Sequence, residues 1–190
     1  MANTLQESDF EWAAERLRCE VATIKAVAHV ESRESGFLPD GRLTILYERH
    51  IFHRLTKGQF SKGENSDVSW PTPGGYRGGA AEWERLTKAA ALDANAAKLS
   101  ASYGAFQVMG FNFAACGYRS VDEMIDAYMT GARAQLEGFA GFIETNGLSD
   151  ELQRKDWQGF ARGYNGPGYK ANRYDQKMRD AYRVFSGKAN

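Results

Sequence analysis

Apolar residues recur every three or four positions along much of this chain, the period of a helix that buries one face. Ser8 or Asp9 can cap a first helix over residues 10–18, and Asp9 and Glu11 suit the positive end of its dipole. On a second helix Val21, Ile24, Val27, Ala28 and Glu31 share one stripe, so a carboxylate continues an apolar face at the helix C-terminal end. Burial and the negative pole of the dipole both oppose ionisation there. Residues 34–41 are turn-rich, and residues 43–52, LTILYERHIF, read either as a short strand or as a helix start. Residues 56–79 mix proline, glycine, serine and charge and are expected to form a long irregular loop, a kind that in compact domains is usually functional or mobile.

Beyond the loop, residues 82–99 are alanine-rich and helical, and residues 102–110 read as a turn leading into another buried helix. Residues 122–146 carry one long helical pattern that Gly147 stops, and residues 150–163 and 174–185 supply the last two helices. The stripes of Trp83, Leu86 and Ala90, and of Met124, Tyr128, Leu136 and Phe139, belong to the core. No convincing two-strand hairpin is expected outside residues 56–79, and no repeat or low-complexity tract interrupts this pattern. It predicts a mainly α domain with a long irregular loop and at most a small β element, and 190 residues fit a single domain over 1–190.

Composition narrows the partners. Lysine plus arginine equal aspartate plus glutamate at 24 each, and no helix carries a cationic stripe, which argues against nucleic acid. No apolar stretch approaches the ~18 residues of a membrane span, so membrane insertion is not expected. Cys19 and Cys116 lie far apart with no CxxC spacing and no histidine cluster, so both read as free buried thiols and no metal is expected. MANTLQESDFEW has no basic segment followed by an apolar run, so no secretory signal is expected and synthesis ends in the cytoplasm. A monomer without cofactor is the simplest expectation.

Glu31 is the chemical candidate. A carboxyl kept protonated near neutral pH can donate to the leaving oxygen of a glycoside, although a helix-terminal glutamate can also simply reach solvent. Spacing alone does not decide between them, but three ordered segments fall into one pattern: AHVESRESGF at 28–37, SASYGAFQVMGFN at 100–112 and ARGYNGPGY at 161–169. Together they resemble the goose-type lysozyme and lytic transglycosylase superfamily, in which a Glu-Ser pair ends a buried helix, a G-x-x-Q turn floors the cleft and Tyr-Asn-Gly faces the glutamate. The stretch GFLPDGRLTILYERHIF narrows the resemblance to the N-acetylmuramidase domain of phage endolysins, over about residues 8–186. The chain departs from that pattern at Glu34, where a small residue is more usual. Glu31 is preferred as the acid because it lies on the helical stripe.

The resemblance implies a lysozyme-like helical fold and cleavage of peptidoglycan glycan strands, with release through a pore to reach the cell wall. It matches Glu31 and Ser32, the turn from Gly104 to Gln107, and Tyr164 with Asn165, and it has the Tyr164 hydroxyl bond to Glu31 while Asn165 orients substrate from the following turn; by itself Asn165-Gly166-Pro167-Gly168 also reads as a plain tight turn. Glu48 is the candidate second carboxylate, able to stabilise an oxocarbenium-like transition state or activate water, or else to pair with Arg49 or Arg54. His50 can tune Glu48 or merely pack, and His53 carries the same two readings. Gln107 can bond an acetamido group or a water, Tyr103 and Phe106 can stack on a sugar or fill the core, and Trp70 and Tyr76 can stack on carbohydrate or edge a lid.

Overall fold

The computed structural model describes residues 4–32 and 36–187. Helix α1 (Glu7–Leu17) starts one turn earlier than its acids suggest, because Gln6 takes the N-cap position and its backbone N–H donates to Asp9 at 2.8 Å. Helix α2 (Val21–Glu31) buries Ile24, Val27 and Ala28, as the stripe predicts. The run 43–52 is both strand and helix: β1 (Ile45–Tyr47) is followed at once by α3 (Arg49–Leu55), with Glu48 between them. Residues 56–79 are irregular apart from one 3-10 turn, Gly63–Asn65.

Four expectations are corrected. The stretch 82–99 is two helices, α4 (Ala81–Ala90) and α5 (Ala94–Leu99), because Asp93 turns its carboxylate onto the Ala96 N–H at 2.9 Å and starts a new helix. Residues 101–109 are not a turn into a helix but a hairpin of β2 (Ala101–Tyr103) and β3 (Val108–Met109), ending in the 3-10 turn Gly110–Asn112. The pattern at 122–146 breaks at Gly131, whose φ of 146° leaves the helical region, giving α6 (Val121–Met129) and α7 (Ala132–Thr145). The stretch 150–163 is not one helix but two, α8 (Ser149–Arg154) and α9 (Trp157–Asn165), because Asp156 accepts from the Gly159 N–H at 2.9 Å and starts a new helix; a 3-10 segment Pro167–Asn172 and α10 (Tyr174–Phe185) complete the chain.

The result is a mainly helical fold with one small antiparallel sheet in the order β1-β2-β3, in which Leu46, Ser102 and Met109 form a row across the strands. Leu136, Phe139 and Ile143 of α7 centre the core, joined by Ile24 and Val27 of α2, Phe160 of α9 and Met178 of α10. Leu86, Met124 and Tyr128 are buried, and Trp83 and Ala90 pack against them, so the two predicted core stripes are core. Helix α10 packs along α2, and this closes the fold over the end of α2 that carries Glu31.

One polar side chain inside this core joins it to the hairpin. Gln135 of α7 is fully buried, its Oε1 accepting from the Ala105 N–H at 2.7 Å and its Nε2 donating to the Tyr128 carbonyl at 3.2 Å. Gly36 and Gly104 must be glycine beside it: both have positive φ, and a Cβ would stand 2.2 Å and 2.6 Å from Gln135 Oε1. Gln135→Leu is expected to cost about 2 to 4 kcal/mol, because it orphans a buried N–H and a buried carbonyl. Denaturant unfolding checks this, and a loss below about 1 kcal/mol would show that the hairpin turn does not depend on Gln135.

Candidate active site

Glu31 is the last residue of α2 and lines a cleft of about 330 Å³ together with Gln107, Met109, Asn112, Tyr164 and Asn165. The apolar stripe explains its position. About three turns of packing against α10 and α1 hold α2 in place, and the carboxyl is carried out of the core only at the helix end. Burial pushes the Glu31 carboxyl up from its ordinary 4.5 to about 7, against the Asn165 hydrogen bond and the charge of Lys177 on α10, which both pull it down. The group is therefore largely protonated at mildly acidic pH and can act as an acid.

Asn165, not Tyr164, touches the acid: its Nδ2 donates to Glu31 Oε1 at 2.7 Å. The Tyr164 hydroxyl instead donates to the Phe106 carbonyl at 2.9 Å. Its ring stacks on Phe160 with an interplanar angle of 8° and meets Phe139 and Phe142 edge-on. Tyr164 is thus a wall of the cleft rather than a partner of the carboxyl. The physical cause is that α9 continues through Asn165, so adjacent side chains point about 100° apart around the helix. Tyr164 falls on the apolar face and Asn165 on the cleft.

The G-x-x-Q turn floors the cleft, with Gln107 held at a φ of 50°. Its Nε2 donates to the Gly104 carbonyl at 2.8 Å and to the Thr44 carbonyl at 3.2 Å, and its Oε1 accepts from the Ser102 hydroxyl at 3.0 Å. Both amide hydrogens are therefore engaged within the protein, and only Oε1 retains acceptor capacity toward a sugar. Tyr103 is withdrawn from substrate altogether: it is fully buried in β2 and donates to the Lys98 carbonyl at 2.9 Å. Phe106 is buried too and stacks on Phe139 at 4.3 Å between centroids. Ser32 does not line the Glu31 cleft. It borders a separate cavity of about 440 Å³ with His29, Phe10 and Phe185. Glu34 lies outside the described residues.

Glu48 occupies the N-cap of α3, yet its side chain makes no capping bond. Its Oε2 accepts from the Tyr76 hydroxyl at 2.8 Å and lies 3.1 Å from His50 Nδ1. No bond from Glu48 to Arg49 or Arg54 appears. Arg49 is engaged by the irregular loop, donating to the carbonyls of Ser66, Thr72 and Pro73. Glu48 keeps an extended backbone, with φ −106° and ψ 92°, so the two-residue alternation of a strand puts its side chain on the face of Leu46. Leu46 shares that face with Ser102 and Met109, and Met109 lines the Glu31 cleft. His53 is a packing histidine, bonded to Ser61 at 2.6 Å.

Several residues escaped sequence reasoning. Met109 and Asn112 line the cleft from the hairpin, and Tyr174 from the first turn of α10. Glu82 and Arg85 form a fully buried ion pair at 2.7 Å behind β1. Trp70 and Tyr76 are 40% and 47% exposed, on a loop that these charges fasten. Cys19 and Cys116 are both free, Cys116 buried and Cys19 partly so. Among the described residues no helix is long and apolar enough to cross a membrane, and no three His, Cys, Asp or Glu side chains gather as a metal site.

Comparison with known proteins agrees with this geometry. Residues 20–186 match the family Muramidase, described as N-acetylmuramidase. The crystal structure of the Burkholderia AP3 phage endolysin is similar to this fold with a TM-score of 0.91 and 39% sequence identity, over 99% of this chain and 73% of that one. No curated protein matches the chain. With a family match over residues 20–186 and 39% identity to that endolysin over nearly the whole chain, the chain belongs to the N-acetylmuramidase family of peptidoglycan-cleaving enzymes.

Proposed function

We propose that this protein is a phage endolysin that hydrolyses the bond between N-acetylmuramic acid and N-acetylglucosamine in peptidoglycan, with Glu31 as general acid. The observation that carries the reading is a partly buried carboxyl whose proton is retained to about pH 7 and whose Oε1 is already bonded to Asn165. Because Oε1 accepts from Asn165, the proton sits on Oε2, the oxygen left to face the scissile bond. As the bond from the muramyl anomeric carbon to the departing oxygen breaks, Glu31 Oε2 delivers its proton to that oxygen. A water oxygen bonds to the anomeric carbon and gives its own proton to Glu48. Asn165 and the charge of Lys177 then steady the carboxylate that Glu31 has become.

Hydrolysis is favoured over internal attack by the muramyl 6-hydroxyl because a second carboxylate shares the sheet face that borders the cleft. We assign the chain 1–190 as one catalytic unit that acts as a monomer on glycan strands, with neither nucleic acid nor bilayer as its partner. It is made in the host cytoplasm and reaches the cell wall through a pore. Phage lysis is supported by the likeness to the AP3 endolysin.

The test is muropeptide analysis of digested, purified peptidoglycan with borohydride reduction. New ends that reduce to muramitol are expected. Anhydro-muramic ends would instead make the protein a lytic transglycosylase, reducible glucosamine ends would move the cut to the other glycosidic bond, and no soluble product would leave only a peptidoglycan-binding module.

A further inference from the structure

We propose that Tyr76 is a positioning residue for Glu48: its hydroxyl holds one carboxylate oxygen so that the other is presented to the water that attacks the sugar. This rests on the reading of Glu48 as the second carboxylate. Four features of the site carry it. Glu48 occupies a position where side chains normally cap the following helix, and it makes no such bond. Its carboxylate turns to the irregular loop instead and takes the Tyr76 O–H on Oε2 at 2.8 Å. His50 Nδ1 is near the same oxygen, at 3.1 Å, but is not in hydrogen-bond geometry, which leaves Tyr76 as the directed donor. Among the described residues no donor serves Oε1.

Tyr76 is also placed unlike a packing residue. Its ring is 47% exposed, so burial does not hold it. The backbone on either side of it is clamped instead. Arg85 Nη2 donates to the Gly74 carbonyl at 3.3 Å, and Glu82 Oε1 accepts from the N–H groups of Arg77 and Gly78 at 2.5 and 2.9 Å. Arg49 adds bonds to the Thr72 and Pro73 carbonyls. A loop fixed on both flanks delivers one exposed phenol to one carboxylate oxygen. A tyrosine hydroxyl suits the task because it stays protonated: burial and the bond to Glu48 push it up to about 12. It donates throughout the working pH range and competes for no proton.

The experiment is a double-mutant cycle on soluble glycan strands of defined length, comparing wild type, Tyr76→Phe, Glu48→Gln and the double variant, with kcat and KM measured separately and melting temperatures as control. Tyr76→Phe keeps the ring and removes only the donor. It is expected to lower kcat about 10- to 100-fold with KM within about twofold, and to have no further effect in the Glu48→Gln background. Equal losses in both backgrounds, or a rise in KM at unchanged kcat, would overturn the positioning role. Full activity of Tyr76→Phe beside an impaired Glu48→Gln also overturns it and leaves the reading of Glu48 intact. Full activity of Glu48→Gln overturns both.

Discussion

Glu31→Gln is expected to lower kcat by about 10²- to 10⁴-fold, the usual worth of a general acid, while the protein still folds and still binds glycan strands. Glutamine fills the same volume and its amide oxygen can accept the Asn165 bond, so only the transferable proton is lost. Stability supplies an independent check. The Glu31 carboxyl has its folded-state value raised from 4.5 to about 7, so between those values the folded protein binds more protons than the unfolded chain. Stability from this group is therefore fully present below about pH 4.5 and declines as pH rises through about 7, by roughly 3 kcal/mol at most, since the group keeps some contact with solvent. Glu31→Gln removes that decline. Its melting temperature should match wild type near pH 4 and exceed it near pH 8, while the alkaline limb of wild-type kcat/KM should fall near pH 7. Parallel melting curves across this range would falsify the assignment of the raised value to Glu31.

Why this acid was legible in the sequence, and other parts of the site were not, follows from the periods involved. The stripe Val21, Ile24, Val27, Ala28 runs for about two turns, long enough for its 3.6-residue repeat to place Glu31 at the end of a buried face. Helix α10 was equally readable, its observed range matching the pattern at 174–185. The strands are two or three residues long, too short for a period of two to register, so the sequence shows no hairpin there and leaves Tyr103 open between sugar and core. Asn165 takes the bond to Glu31 expected of Tyr164 because α9 runs one residue further than a turn at Asn-Gly-Pro-Gly suggests. A continuing helix rotates each successive side chain, and that rotation decides which of two neighbours meets the acid. The breaks at Asp93 and Gly131 were visible only as single residues within otherwise helical stretches. Nothing in the sequence marks Glu82 and Arg85 as buried, since acid and base three apart usually form a solvated pair on a helix surface.

That buried pair is where the largest stability effect is expected. Arg85 has no exposed surface, and its guanidinium bonds Glu82 Oε2 at 2.7 Å, the Tyr47 carbonyl at 2.9 Å and the Asp67 carbonyl at 2.7 Å. Glu82 is likewise without exposed surface. Burial alone would raise its carboxyl, but the N–H groups of Arg77, Gly78 and Tyr47 together with Arg85 outweigh that and hold it below its ordinary value. The pair thus joins α4, β1 and the irregular loop through one planar cation. Arg85→Ala leaves Glu82 charged and buried without its counterion and strips donors from three carbonyls. The expected loss is about 3 to 5 kcal/mol, or on the order of 10 °C in melting temperature. Arg85→Lys should recover little, because a single ammonium cannot span a carboxylate and three carbonyls at once. Limited proteolysis should then cut within residues 66–79, the segment that carries Tyr76 to Glu48. A melting temperature within about 2 °C of wild type would mean that the loop is held by Arg49 and its own turns. In the expected outcome, one cation behind the sheet sustains both the fold and the placement of the second carboxylate.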